Sequence, residues 1–257
     1  MLGFTAMSAG PTIFIDPLST RSLLLQASFG STPLSTATGF VVERNGAHFL
    51  ITNWHVVTGR DPDTEKPLSP TAGVPDTLHI LHHVKGQLGA WKAAAEPLYE
   101  NGKPRWREHT RGRVVDVVAL PLQNIPSDAE LYPMDLGLAA VDLQPQPAMP
   151  VAIIGFPFGL SAGGAWPIWK TGHIATDPDV DYQADRPAFL IDATTRGGMS
   201  GSPVVIRVSG GYNDGKGNYV IGGGVRTKFL GIYSGRIHQE AEIGRVWRPS
   251  VLEDILK

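Results

Sequence analysis

The stretch Ile191-Asp192-Ala193-Thr194-Thr195-Arg196-Gly197-Gly198-Met199-Ser200-Gly201-Ser202-Pro203-Val204-Val205 sets one serine among glycines just before an apolar strand. Gly197, Gly198 and Gly201 can take backbone dihedrals closed to residues with a Cβ, so consecutive amides can converge on one point. A hydroxyl beside converging amides is what acyl transfer requires, because the carbonyl oxygen under attack becomes an oxyanion. Serine alone is a weak nucleophile. It needs a base within hydrogen-bond reach and a third group that orients the base.

Working outward, the clearest candidate for the base follows a hairpin. Gly39 to Arg44 and Ala47 to Thr52 are apolar strands around Asn45-Gly46, the strongest short hairpin signal. They deliver Asn53-Trp54-His55-Val56-Val57 to their exit. A lone histidine in apolar company is more often a packed core residue, so His55 gains meaning only with partners. Arg113 to Leu120 reads as an apolar strand interrupted by Asp116. A buried carboxylate is costly unless it is bonded, and an imidazole N–H would serve it. The alternative is that Asp116 caps a strand end or meets an arginine.

Composition narrows the class. At 257 residues the chain suits one domain, and 30 Gly and 21 Pro among 42% hydrophobic residues fit short strands joined by many turns. With a net charge of −2 and no Lys/Arg run, neither nucleic acid nor an anionic membrane is an expected partner. The absence of cysteine excludes a disulfide framework and a thiol nucleophile. The first twenty residues lack a charged secretory start, and no run approaches the ~20 apolar residues of a membrane span, so a cytoplasmic location is expected.

Other segments supply scaffold. Residues 1–21 read as an arm, Ser22 to Ala27 as a strand, Ser28 to Ser35 as a Gly/Ser/Thr/Pro-rich turn, and 58–76 as a surface loop. Thr77 to Val84 is a strand whose period places His79 and His83 on one face and His82 on the other. That split argues against a metal site, and no metal or other cofactor is expected. Trp91 to Tyr99 and Arg105 to His109 flank Asn101-Gly102 as a hairpin with solvated charges. Residues 121–150 are Pro-rich and irregular. Val151 to Gly159, Trp166 to Ile174, Ala188 to Asp192, Pro203 to Val208, Tyr219 to Val225 and Lys228 to Tyr233 are further strands, with a hairpin tip at Asn213 to Asn218. Residues 250–256 form a short helix capped by Ser250.

Four segments together resemble the trypsin/chymotrypsin-type serine peptidases, and more closely their cysteine-free bacterial branch with the HtrA-type proteases. These are Thr36 to Val42, Thr52 to Val57, Asp116 to Leu120, and Asp192-Ala193 with Gly198-Met199-Ser200-Gly201-Ser202-Pro203. The resemblance spans residues 22–237 and implies an all-β fold: two six-stranded antiparallel barrels, with the site in the cleft between them. On this reading 1–257 is a single peptidase domain. The first barrel occupies about 22–125, a crossover 126–149, the second barrel 150–249 and a C-terminal helix 250–257. The resemblance implies Ser200 as nucleophile, His55 as base and Asp116 as its orienting acid. The oxyanion hole falls in Gly198-Met199-Ser200, through the amides of Gly198 and Ser200.

Departures from the family pattern are informative. Met199 stands where zymogen-activated members carry an aspartate, so activation by cleavage is not expected. After Tyr233 there is room for little beyond the terminal helix, so no PDZ domain is expected. The pocket base implied by the resemblance is Thr194, beside Thr195, with a wall from Ser234, Gly235 and Arg236. An uncharged Thr194 favours a small or apolar residue on the acyl side, whereas Arg236 or His238 turned inward favours an acidic one. The expected partner is a protein or peptide substrate, with a regulatory protein as a further possibility. A partner-switched or purely binding module and an esterase are the rival readings.

Overall fold

The computed structural model describes residues 13–69, 71–238 and 240–257. β1 (Ser22–Phe29) and β2 (Thr32–Arg44) turn tightly at Gly30-Ser31, so most of the stretch expected as a turn is strand. A register shift at Ala27/Ser28 lets the pair continue with Ser28 opposite Pro33, and such a bulge tolerates a proline in a ladder. β2 then meets β3 (Ala47–Thr52) across Asn45 and Gly46, whose φ values of 53° and 75° suit a two-residue hairpin. The register sets Phe40 opposite Ile51 and Arg44 opposite Ala47.

Helix α1 (Trp54–Thr58) follows at once and ends at Gly59, whose φ of 65° lets its amide reach the His55 carbonyl. β4 (Thr77–Val84) and β5 (Gln87–Pro97) form a long pair in which His83 faces Trp91 and Thr77 faces Pro97. The Asn101-Gly102 turn forms, but its flanking strands β6 (Tyr99–Glu100) and β7 (Lys103–Pro104) have two residues each. The charges here do not all face water. Arg105 donates to Glu96 at 2.8 Å with side chains 5% and 2% exposed, and the Glu96 carboxylate also accepts from the amides of Gln123 and Asn124. β8 (Arg107–Glu108) is short, and the strand expected from Arg113 begins late as β9 (Val118–Pro121) after a 3-10 turn at Gly112–Val114. Bonds from Asp116 to the 53–55 segment replace ladder pairing at that point. β10 (Ala129–Glu130) completes this half.

The first sheet runs β10-β4-β1-β2-β3-β9-β8, with β5 on β4. Its eight strands exceed the implied six by the two-residue edge pieces β8 and β10. The second half closes into a six-stranded antiparallel barrel. Its strands are β11 (Pro150–Gly155), β12 (Ile168–Ile174), β13 (Ala188–Asp192), β14 (Pro203–Asn213), β15 (Tyr219–Arg236) and β16 (Ile243–Trp247), in the order β11-β12-β13-β16-β15-β14. β12 starts two residues later than expected because Trp166 exchanges backbone bonds with Ala162. Two expected strands merge into β15. Helix α2 (Ser250–Ile255) is N-capped by Pro249 without a side-chain bond, so Ser250 is not the cap.

Three apolar clusters hold this arrangement. One fills the first sheet around Leu25, Leu50, Leu78 and Leu120, and one fills the barrel around Ile153, Phe189, Val204 and Val246. The third joins the two halves, with Phe40 and Ile51 meeting Ile154, Phe229 and Trp247, and α2 adds Val251, Leu252 and Ile255 to it. This shared core matters most for function, because it sets one sheet's strand ends against the other's loops. Residues 1–12 of the expected arm lie outside the described residues, while Leu18 is buried in the shared core. Among the described residues, no helix is long and apolar enough to cross a membrane.

Candidate active site

His55 sits in the first turn of α1, held at the end of β3. Its backbone amide donates to Asp116 Oδ1 at 2.9 Å and its Nδ1 lies 2.7 Å from Asp116 Oδ2, so one carboxylate fixes both main chain and ring. Asn53, fully buried, donates from Nδ2 to the Asp116 carbonyl and ties the two segments together. Asp116 is 1% exposed, and these bonds answer the cost of burying its charge. His55 Nε2 lies 2.8 Å from Ser200 Oγ, so the three residues nominated from sequence form one hydrogen-bonded row across the two halves.

The row implies a tautomer. An ionised Asp116 only accepts, so Nδ1 carries the hydrogen and Nε2 presents a lone pair to the Ser200 hydroxyl. Burial opposes the charged imidazolium, but the Asp116 charge and hydrogen bond, with a smaller contribution from Asp61, outweigh it and raise the His55 pKa above its ordinary 6.5. Asp61 comes from the 58–76 loop, in which sequence reading found no function. It borders the same cleft as His55 and Ser200. Burial raises its pKa, yet the amide and hydroxyl of Thr64 and the amide of Asp63 bind its carboxylate and lower the pKa overall. Its loop lacks periodicity, so nothing in the sequence pointed to this position.

The loop before Ser200 is shaped by close approaches. Gly198 has φ 91°, and a Cβ there would lie 2.2 Å from the Phe156 carbonyl. Gly201 has φ 85°, and a Cβ would lie 2.1 Å from the Thr38 carbonyl. Glycine is therefore required at both positions. The Gly197 carbonyl accepts from the Phe158 amide at 2.6 Å and the Gly198 carbonyl from Thr38 Oγ1 at 2.8 Å. Among the described residues the amides of Gly198 and Ser200 donate to no protein acceptor. The Met199 amide differs, donating to the Arg196 carbonyl at 3.3 Å while its side chain is fully buried in the barrel core. Of Gly198-Met199-Ser200, the outer two amides are thus free for an oxyanion and the middle one is not.

Three hollows meet at Ser200. The first, about 320 Å³, is walled by Thr195, Arg196, Tyr233, Arg236 and His238. Thr194, expected as its base, is exposed and does not border it, because the chain turns tightly beyond β13, with the Thr195 amide donating to the Ala193 carbonyl at 2.8 Å, and buries Thr195 instead. Thr195 Oγ1 is hydrogen-bonded to Tyr233 Oη there. The second hollow, about 280 Å³, lies on the α1 side, between Leu34, Val56, Leu68 and Gly198. The third, about 250 Å³, runs between Asp61 and Arg245 and touches Ser234, Gly235 and Arg236. Gly235 borders both the first and the third hollow.

The histidines of β4 do not gather. His79 Nε2 pairs with Ser28 Oγ and His83 Nε2 donates to the Thr20 carbonyl, and the described residues contain no cluster of three metal-ligating side chains.

The trypsin-like peptidase domain model matches residues 37–210. No curated protein matches the sequence. Among solved structures, the thermostable serine protease AL20 from an extremophilic microorganism superposes with a TM-score of 0.52 at 11% identity, covering 93% of this chain and 95% of that one. The active form of the Rv3671c protease from M. tuberculosis reaches 0.47 at 17% identity over 99% of this chain and 93% of that one. At such identity the AL20 likeness speaks for the fold alone. The family model covers well over half of the sequence, and so the chain belongs to the trypsin-like peptidase domain family and is a serine-type endopeptidase.

Proposed function

We propose that Ser200, His55 and Asp116 carry the peptidase reaction, with the Gly198 and Ser200 amides as the oxyanion hole. His55 Nε2 takes the Ser200 proton as Oγ attacks the scissile carbonyl, and Asp116 holds the ring and supports the imidazolium that forms. The former carbonyl oxygen, now negative, accepts from the two amides. Collapse breaks the C–N bond, His55 passes its proton to the leaving amine, and an ester to Ser200 remains. Water then attacks that ester, gives a proton to His55, and Ser200 leaves with it.

The observation that carries this reading is the unbroken row Asp116, His55, Ser200 at 2.7 and 2.8 Å beside two amides without acceptors among the described residues. The same amides favour a competent site over one that a partner must first rearrange. A net charge of −2 supports a polypeptide substrate over nucleic acid or an anionic membrane surface. The test is labelling by a fluorophosphonate, which reacts with an activated serine. Wild type should label, and Ser200→Ala and His55→Ala should not. Folded wild type that takes no label would refute the assignment.

A further inference from the structure

The 320 Å³ hollow beside Ser200 is lined by donors. Arg196 spends Nη1 on the Thr195 carbonyl and on Glu242, and among the described residues its Nη2 and Nε donate to nothing. Arg236 reaches the same Glu242 at 4.0 Å. Glu242 answers both guanidinium groups from outside, since it is not among the residues that wall the hollow. Both guanidinium groups line the hollow, while Glu242 stands outside its walls. His238 adds a further donor: its Nδ1 accepts the Glu240 amide at 3.2 Å, so the neutral ring carries its hydrogen on Nε2. Tyr233 is pushed up to about 12 by burial and stays a neutral phenol. It and Thr195 hold two hydroxyl hydrogens between them and use one in their mutual bond, which leaves the other to donate. Among the described residues no carboxylate lines the hollow.

The side of the scissile bond follows from proton transfer. His55 must reach the leaving amine, and it borders the second hollow, between Leu34 and Gly198, but not the first. The residue that supplies the acyl group therefore turns its side chain into the first hollow. A bulge between Tyr233 and Arg236, with Gly235 at φ 102°, breaks the pairing to β16 and swings Arg236 to that wall.

We propose that this endopeptidase cleaves after acidic residues, with Arg196, Arg236, His238 and the Thr195–Tyr233 hydroxyl pair receiving the side-chain carboxylate. A carboxylate only accepts, which matches walls that mainly donate, whereas the isosteric amide brings two donors that find no carboxylate here. The inference rests on Ser200 as nucleophile for its location and on the charge of the walls for its content.

Two measurements separate these. In the first, peptides identical but for Glu, Gln, Ala, Leu or Lys before the cut are compared as substrates. The Glu peptide should exceed the Gln peptide by about tenfold or more in kcat/KM, as expected for charge-assisted hydrogen bonds covered by substrate. Arg196→Gln with Arg236→Gln should bring that ratio near one. In the second, acetylated peptides ending in Glu or Gln are titrated into Ser200→Ala by calorimetry, which needs no turnover. The Glu peptide should bind about tenfold tighter, and this gain should vanish in the triple variant. Equal binding of the two peptides, or preferred cleavage after Leu, Ala or Lys, overturns the proposal. A discriminating Ser200→Ala together with unlabelled wild type would instead overturn the catalytic assignment and leave the pocket for an acidic side chain standing.

Discussion

The backbone amide of Thr38, on β2 of the first sheet, donates to the carbonyl of Ser200 at 2.9 Å, so one half of the molecule holds the serine supplied by the other. The Thr38 side chain reinforces this hold. Its hydroxyl donates to the Gly198 carbonyl at 2.8 Å and accepts from the Phe156 amide at 3.1 Å, and the residue is fully buried. Thr38→Val keeps the shape and leaves two buried backbone groups unpaired, at about 1–3 kcal/mol each. The melting temperature should fall, and kcat should fall more than KM changes, because the Gly198 amide loses its alignment. Thr38→Ser restores the hydroxyl and should recover kcat. If kcat is unchanged in the valine variant, Thr38 does not position the loop.

Asp116→Asn should reduce turnover by roughly 10⁴ while the protein stays folded, because an amide no longer enforces the tautomer with hydrogen on Nδ1. The pH profile carries the sign of the His55 shift. A general base must be neutral, so activity falls as pH drops through a pKa raised above 6.5 by Asp116 and, to a smaller extent, by Asp61. Asp61→Asn should move the acid limb of kcat/KM to lower pH without abolishing turnover. An unmoved limb would mean that Asp61 is not felt at His55. The same shift contributes to stability below pH 6.5, where the folded ring is protonated beside Asp116, and that contribution is lost as pH rises through the raised pKa.

Arg105→Met removes the cation from a pair whose side chains are almost wholly buried. Glu96 keeps its bonds from the Gln123 and Asn124 amides, so the loss should sit toward the lower end of the roughly 3–5 kcal/mol seen for orphaned buried charges. Urea denaturation reads this directly. Fluorophosphonate labelling of the folded fraction should be unaffected, since the pair lies outside the site.

His82 is 1% exposed, and burial lowers its pKa to about 4. The unfolded chain therefore binds a proton near pH 6.5 that the folded chain refuses, and stability should fall as pH drops from 6.5 toward 4. His83 and His109, also lowered by burial, add to the slope. His82→Leu should flatten the fall in melting temperature across that window. An unchanged slope would show that His82 does not account for it.

Sequence alone marked most strands, the Asn45-Gly46 hairpin and the serine among glycines, because alternation and turn chemistry are local. It also nominated His55 and Asp116, one carried out of a hairpin and the other a carboxylate lodged in an apolar run. What it could not supply was distance. Asp116 precedes its strand instead of lying in it, since its partners are the Asn53 side chain and the His55 amide, some sixty residues away. The bracing role of Thr38, the nearness of Asp61 and the buried Glu96–Arg105 pair were equally hidden, for each depends on which segments the fold sets side by side. The wall of the hollow beside Ser200 belongs to Thr195, not Thr194, because the chain turns tightly beyond β13 and buries the one while exposing the other. Local chemistry determined which residues could act. The shared apolar core between the two halves decided which of them meet, because only packing fixes the position of one strand end against a distant loop.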